Sequence, residues 1–386
     1  MSIKENDKKY IAPTYGRFPV EFARAEGSTV YDTDGKKYID MGAGIATTVF
    51  GHCDSEYVKA VTEQLNKYAH ASNLYYTEPQ VKLAELLCEK TGMKKVFFAN
   101  SGAEANEGMI KAARKYSFDK YGEGRSKIIT LKNSFHGRTV TTLSATGQDV
   151  FHNYFFPFTE GFDYAPANDI EGTKALITDD VCAVMVELVQ GEGGVLPLEA
   201  DYVNEIYSLC AEKDILFCVD EVQTGNGRCG ALYAYMRYNI MPDIISTAKG
   251  LGGGLPIGAV LLGEKVENTL GPSMHGSTFG GNPVCAAGAY NVISRIDDEL
   301  LDGVQKKSDY IVSRLKACKN TVSVSGMGLL LGIKTTKDSK EIVNACIADG
   351  VLPLTAKDKI RLTPPLNISF EDLEKALDVI CANIDK

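Results

Sequence analysis

The sequence predicts an α/β fold: a large domain on a mostly parallel sheet flanked by helices, with a smaller α+β domain beside it. Three observations predict this. From about residue 95, short apolar runs alternate with helix-like stretches, the pattern of parallel strands joined by covering helices. From about residue 284, longer helical stretches take over, with only a few short strands among them. The chain has 386 residues, 44% of them hydrophobic, enough for a large core and two domains.

The elements follow in order. Val30 to Ile39 has apolar flanks around Asp34-Gly35, a hairpin signal. Gly42-Ala-Gly44-Ile45 is a glycine-rich loop. Ser55 to Ala69 carries Val58, Val61 and Leu65 at helical spacing. Thr77-Glu-Pro-Gln80 opens a second helix, with Thr77 and Gln80 fitting a capping box and proline tolerated in the first turn. The buried strands are predicted at Lys95–Ala99, Lys127–Leu131, Val181–Val186, Ile215–Val219, Ile244–Ala248 and Ala259–Leu262. Between them lie helices such as Ala103–Lys120 and Tyr202–Lys213. Near the end come Gly328–Gly332, Lys359–Leu362 and a last helix opened by Ser369. The resulting division is residues 1–50 as an arm and small-domain strands, 51–275 as the large domain, and 276–386 as a linker helix and the small domain.

Composition excludes several functions. A net charge of −9 argues against nucleic acid or an anionic membrane as main partner. No apolar run reaches membrane-spanning length, and the first nine residues are polar, unlike a secretory signal. Ten scattered cysteines without a CxxC pair read as buried free thiols of a cytoplasmic protein. Five histidines show no metal-ligand spacing, so no metal is expected.

The chemistry centres on Lys249. It follows the apolar run Ile244–Ala248 and precedes Gly250, Gly252, Gly253 and Gly254. A lysine at a buried strand end is costly unless neutral, paired or covalently used. Desolvation lowers its pKa and makes the amine a nucleophile for Schiff-base chemistry. Taken alone, such a lysine is more often a solvated strand end, so other stretches must agree with it. Ser101-Gly102-Ala103 follows a strand and opens a helix, which makes a phosphate site or an ordinary serine cap. Phe135-His136-Gly137-Arg138 puts a stacking ring, an imidazole and a carboxylate-binding guanidinium into one loop. Asp220 ends an apolar strand, where it can pair with a protonated pyridine nitrogen, and Gln223 can reach a ring hydroxyl. One ligand meets all four demands: a flat heteroaromatic aldehyde with a phosphate and a basic ring nitrogen, pyridoxal 5'-phosphate.

These stretches also carry a resemblance. Ser72–Pro79, Asn100–Asn106, Ser134–Thr139, Val189–Gly194, Asp220–Gln223, Lys249 with its glycines, and Ser277–Pro283 resemble, in order, the class III (ornithine-type) aminotransferases of fold type I. Ala43–Ala46 and Ser72–Pro79 are most similar to the acetylornithine aminotransferases of arginine biosynthesis. The resemblance implies that Lys249 joins the cofactor aldehyde and shuttles the proton, and that Asp220 and Gln223 serve ring nitrogen and ring oxygen. It implies Phe135 and His136 at the ring, Ser101, Gly102 and Ala103 at the phosphate, and Thr278 at the phosphate of a partner subunit, hence a homodimer. For substrates it implies Tyr15, Ile45, Arg138 and Ser277 in the donor pocket. It implies Arg361 for the α-carboxylate of glutamate or 2-oxoglutarate, covered at other times by Glu192.

The sequence departs from the family pattern at His52-Cys-Asp54, Leu188, Asn226 and Cys229, none of them a site position. Succinyl-diaminopimelate, succinylornithine, ornithine and 4-aminobutyrate remain rival donors. A dinucleotide oxidoreductase using Gly250–Gly254 fails on spacing, because Leu255 stands where the third glycine belongs. A non-catalytic binding relative would have little use for Lys249, Asp220 and both arginines together.

Overall fold

The computed structural model describes residues 2–386. Its centre is a seven-stranded sheet: β1 (Lys95–Ala99), β2 (Lys127–Leu131), β3 (Phe162–Ala165), β4 (Val181–Val186), β5 (Leu216–Asp220), β6 (Ile244–Thr247) and β7 (Gly258–Leu262). The spatial order is β1-β7-β6-β5-β4-β2-β3. Strands β6, β5, β4, β2 and β3 run parallel. Strand β7 is antiparallel to both neighbours. The short connection from β6 to β7 explains this, since a parallel return needs a crossover of a dozen or more residues.

Every residue of β4, β5, β6 and β7 is buried. Helices cover both faces, so these strands show mostly apolar runs and no polar-apolar alternation. Edge strand β3 is only partly buried, and its Phe-Asp-Tyr-Ala sequence gave no such run. Strand β5 lies one residue later than predicted. Asp220, aligned with Ser246, is therefore its last residue, at the carboxyl end of the sheet. Helix α1 (Gly102–Tyr121) starts just after β1, with Ser101 as its cap, Oγ accepting from Glu104 N at 3.2 Å.

The two chain ends meet. Phe22–Glu26, Thr29–Asp32 and Lys37–Asp40 form an antiparallel meander, and Val351–Leu352 adds to Lys37–Asp40 in parallel. The Asp34-Gly35 turn is present, with Asp32 Oδ1 accepting from the amides of Asp34 and Lys36. A second antiparallel sheet orders Thr321–Met327, Leu330–Thr335, Lys359–Leu362 and Leu354–Ala356. Ser28 Oγ donates to Asp372 Oδ2 at 2.6 Å, on the last helix, 344 residues away in sequence.

One local expectation needs correction. The capping box at Thr77 does not form. Gln80 Nε2 donates instead to Asn73 Oδ1 at 2.9 Å, and Thr77 Oγ1 has no partner. The loop at Gly42 is a tight turn in which Ala43, Gly44, Ile45 and Ala46 all have φ between 45° and 62°. Its start is held by Asp40 Oδ1, which accepts from the amides of Gly42 and Ala43. Among the described residues no helix is long and apolar enough to cross a membrane.

Candidate active site

The carboxyl ends of the parallel strands open into a cavity of about 240 Å³. This is where open α/β sheets place ligands. Gly102 and Ala103 at the start of α1 form one wall. Phe135 to Arg138, after β2, form another. Glu187, Asp220 and Lys249 reach it from the ends of β4, β5 and β6. A larger, shallower hollow of about 600 Å³ lies between Tyr121, Arg125 and Lys213, at the amino ends of the strands. None of the predicted site residues lines it, so it carries no role in the chemistry.

Three donors converge on the Asp220 carboxylate. Oδ2 accepts from Asn106 Nδ2 at 2.7 Å and from His136 Nδ1 at 2.8 Å, and Oδ1 accepts from Val222 N at 3.0 Å. With Nδ1 donating, His136 Nε2 is left buried without a partner, as is Asn106 Oδ1. Asn106 Nδ2 also donates to His136 O at 2.7 Å, fixing the loop after β2 to α1.

Lys249 leaves β6 in the left-handed region, φ 45°. Its surroundings are dense, because a Cβ on Gly250 would stand 3.0 Å from Val49 Cγ2. Burial pulls the Lys249 amine below the ordinary lysine pKa. Glu192, Asp220 and Glu187 oppose that shift, and Arg361 adds to it. The direction of the shift makes the neutral, nucleophilic amine more accessible than on an exposed lysine.

Arg361, in the strand Lys359–Leu362, is 3% exposed. Its Nη1 donates to Glu192 Oε1 at 2.6 Å and to Gln223 Oε1 at 3.0 Å. Gln223 Nε2 donates to Glu192 Oε1 at 3.3 Å, closing a triangle. Burial pushes the Glu192 carboxyl up, but Arg361, together with Lys249 and Gln223, outweighs it and holds the group below its ordinary value. Gln223, expected at a ring oxygen, also lines the cavity. Arg138 is exposed and stacks over Phe151 at 4.3 Å and Phe135 at 5.3 Å. No carboxylate pairs with it among the described residues, so the cation faces the cavity mouth ready for an anion.

The structure thus gathers Lys249, Asp220, Gln223, Gly102, Ala103, Phe135, His136 and Arg138 around one cavity. Ser101 caps α1 beside it, and Glu192 with Arg361 joins through Gln223. Tyr15, Ile45, Ser277 and Thr278 do not line it. Ser277 and Thr278 border a separate hollow of about 530 Å³ with Glu104 and His275. Sequence reasoning missed Glu187 and Asn106. The first has the same signal as Asp220, an acid after a wholly apolar strand. The second stood inside the Asn100–Asn106 stretch without a role.

The family model described as Aminotransferase class-III matches residues 10–384. The chain belongs to the class III aminotransferases. Among curated relatives of this class III aminotransferase, the acetylornithine aminotransferase of Haemophilus ducreyi is 49% identical, over 98% of this chain and 97% of that protein. The acetylornithine aminotransferase of Methanocaldococcus jannaschii is 42% identical, over 98% of each. Among solved structures, the N-acetylornithine aminotransferase of Stenotrophomonas maltophilia superposes with TM-score 0.86 at 34% identity, covering 98% of both chains. An ornithine aminotransferase of Toxoplasma gondii, crystallised with partial occupancy of PLP at its active site, superposes with TM-score 0.94 at 30% identity. It covers 99% of this chain and 93% of that one.

The class III aminotransferase fold uses pyridoxal phosphate, and the residues present fit that group. The 20-residue helix α1 directs its free amides at the cavity, an anion site. A Cβ on Gly102 would stand 2.6 Å from Val222 Cγ1, so this wall admits only backbone. The unpartnered His136 Nε2 and Asn106 Oδ1 belong to residues that line the same space.

Proposed function

We propose that this enzyme transfers the terminal amino group of N2-acetylornithine to 2-oxoglutarate, giving N-acetylglutamate 5-semialdehyde and glutamate, a step of arginine biosynthesis in the cytoplasm. The observation that carries this reading is the Glu192–Arg361 pair beside Lys249 in a chain 42–49% identical to four acetylornithine aminotransferases. A transaminase of this kind must take an amine far from one carboxylate, then deliver it beside another. A carboxylate-binding arginine that is covered until needed suits that demand.

When bound, pyridoxal phosphate supplies a carbonyl that accepts the amino group and an electron sink for the charge released as the C–H bond breaks. The chain supplies the rest. Lys249 Nζ, made easier to deprotonate by burial, would hold the cofactor and serve as the proton carrier between the two carbons. Asp220, with its three donors, provides the fixed negative charge for the ring nitrogen. Phe135 and Val222 are the apolar walls for a flat ring. Ser101, Gly102 and Ala103 hold the phosphate with Gln223 on the ring oxygen, and His136 keeps Asp220 in place. Arg138 takes the distal carboxylate of the acylated donor. Arg361 takes the α-carboxylate of glutamate once Glu192 swings away.

A homodimer completes this reading. Leu74, Tyr76 and Phe279 are 88%, 101% and 59% exposed, and Phe279 lies in the stretch expected at a shared site. Apolar side chains that protrude in this way support an interface there, and Thr278 next to Phe279 would then serve the partner's phosphate. The test mixes the holoenzyme separately with acetylornithine, succinylornithine, ornithine and 4-aminobutyrate, and follows the cofactor's visible absorbance. Fastest loss with acetylornithine supports the proposal, and fastest loss with another donor replaces it.

A further inference from the structure

Glu187 is a carboxylate in the wall of the cavity with no cation bonded to it among the described residues. Its two oxygens are occupied by backbone. Oε1 accepts from Phe135 N at 2.8 Å, and Oε2 accepts from Gly191 N at 3.3 Å. These amides belong to two different loops. Phe135 lies in the aromatic loop after β2. Gly191 precedes Glu192 in the turn of a small hairpin, Val189–Gln190 paired with Leu196–Pro197.

The hairpin turn is packed without slack. A Cβ on Gly191 would stand 2.3 Å from Gln223 Oε1, the atom that accepts from Arg361. Gln190 Nε2 donates to Lys132 O at 2.8 Å, a second tie to the aromatic loop. On the other side, Ser325 Oγ donates to Val195 O at 2.7 Å, linking the turn to the sheet that carries Arg361. Where Gly191 sits thus determines how Glu192 meets Arg361, and Glu187 holds Gly191.

We propose that Glu187 is a positioning residue that sets the Glu192–Arg361 latch, holding the Gly191 amide on one oxygen and the Phe135 amide on the other. The inference rests on the reading of Glu192 and Arg361 given above and extends it to substrate choice. Loosening Glu187 frees Arg361 more often, so dicarboxylates gain access at the expense of the acylated donor.

The test uses two variants and one unreactive probe. Glu187→Gln keeps the side-chain length, removes the charge and turns an NH2 towards one of the two amides. Glu187→Asp keeps the charge but shortens the reach. Calorimetry of glutarate with the cofactor-free protein reads access to Arg361 without any reaction, and Arg361→Ala is the control that abolishes it. Both Glu187 variants are expected to bind glutarate more tightly, about tenfold for a lost hydrogen bond to a charged group. In the holoenzyme the ratio of kcat/KM for glutamate over acetylornithine rises in parallel, through KM and not kcat. Tightening in Glu187→Gln alone means that only charge was removed, and overturns the proposal. So does an unchanged glutarate affinity, or an equal fall of kcat in both halves. If no acylated donor reacts but glutarate responds in both variants, the substrate reading fails and the latch stands.

Discussion

Glu192 Oε1 lies 2.6 Å from Arg361 Nη1, and the arginine that it covers is 3% exposed. A guanidinium so placed is closed to a substrate carboxylate until the glutamate leaves. Arg361→Ala is therefore expected to slow the glutamate half-reaction about a hundredfold or more, the scale of a lost buried charge partner. The acetylornithine half-reaction should change much less. Glu192→Ala should do the reverse and favour glutamate. Stopped-flow measurement of each half separately checks this, and equal losses in both would reduce the pair to a structural contact.

Lys249 gives a prediction that needs no turnover. Its pKa is lowered by burial, so the neutral amine is present at a pH where exposed lysines remain protonated. Treating the cofactor-free protein with an aldehyde and borohydride near neutral pH should mark Lys249 first. The labelled fraction should rise with pH through the lowered value. Lys249→Ala should lose transfer almost completely, and borohydride should no longer fix the cofactor to the chain. Peptide mapping that finds another lysine marked would remove Lys249 from its role.

Asp220 accepts three hydrogen bonds, which an amide cannot reproduce. Asp220→Asn turns an NH2 towards one set of donors and deletes the charge. A rate loss of at least about a hundredfold is expected, typical of a missing electrostatic partner in a closed site. Turnover of the purified variant under saturating cofactor measures it, and near-native rates would count against the assignment.

Glu221 is fully buried next to Asp220. Thr224 Oγ1 donates to its Oε2, and Tyr235 N donates to its Oε1 at 2.8 Å. Burial raises its carboxyl from an ordinary 4.5 to about 7. The folded chain therefore holds a proton that the unfolded chain releases. Its contribution is fully present below the unfolded value and is lost as pH rises through about 7. Glu221→Gln should flatten the fall in stability over this window by up to about 3 kcal/mol. Urea midpoints of the cofactor-free proteins at both ends of the window decide it. A variant with the native slope would place the titration elsewhere.

Much of the sheet was legible because burial on both faces writes itself as unbroken apolar runs. Val181–Val186 and Lys127–Leu131 fall where the sequence places them. Phe162–Ala165 was not legible, because a half-exposed edge strand carries polar residues and lacks that signature. Lys249 and Asp220 stood out as charges at the ends of apolar strands. Glu187 has the same placement, but Leu188 and Val189 continue the apolar run and hide the strand end. The Thr77 cap failed for a different reason: local spacing matched, yet Gln80 found a better acceptor in Asn73. The positions of Tyr15, Ile45, Ser277 and Thr278 outside the cavity depend on distances in space, which residue order does not encode.

The pairing of the first meander with Val351–Leu352, sealed by Ser28 on Asp372, has a consequence for biosynthesis. As the chain emerges from the ribosome, Lys37–Asp40 must wait with an unpaired edge until Val351 and Leu352 have been made. The seven-stranded sheet, complete at Leu262, can assemble during that wait. The strand bearing Arg361 arrives last among the strands, so Lys249 is already housed when Arg361 is delivered. A nascent chain stalled before residue 351 would expose the meander edge, the segment that a chaperone, or a second nascent chain, would meet first.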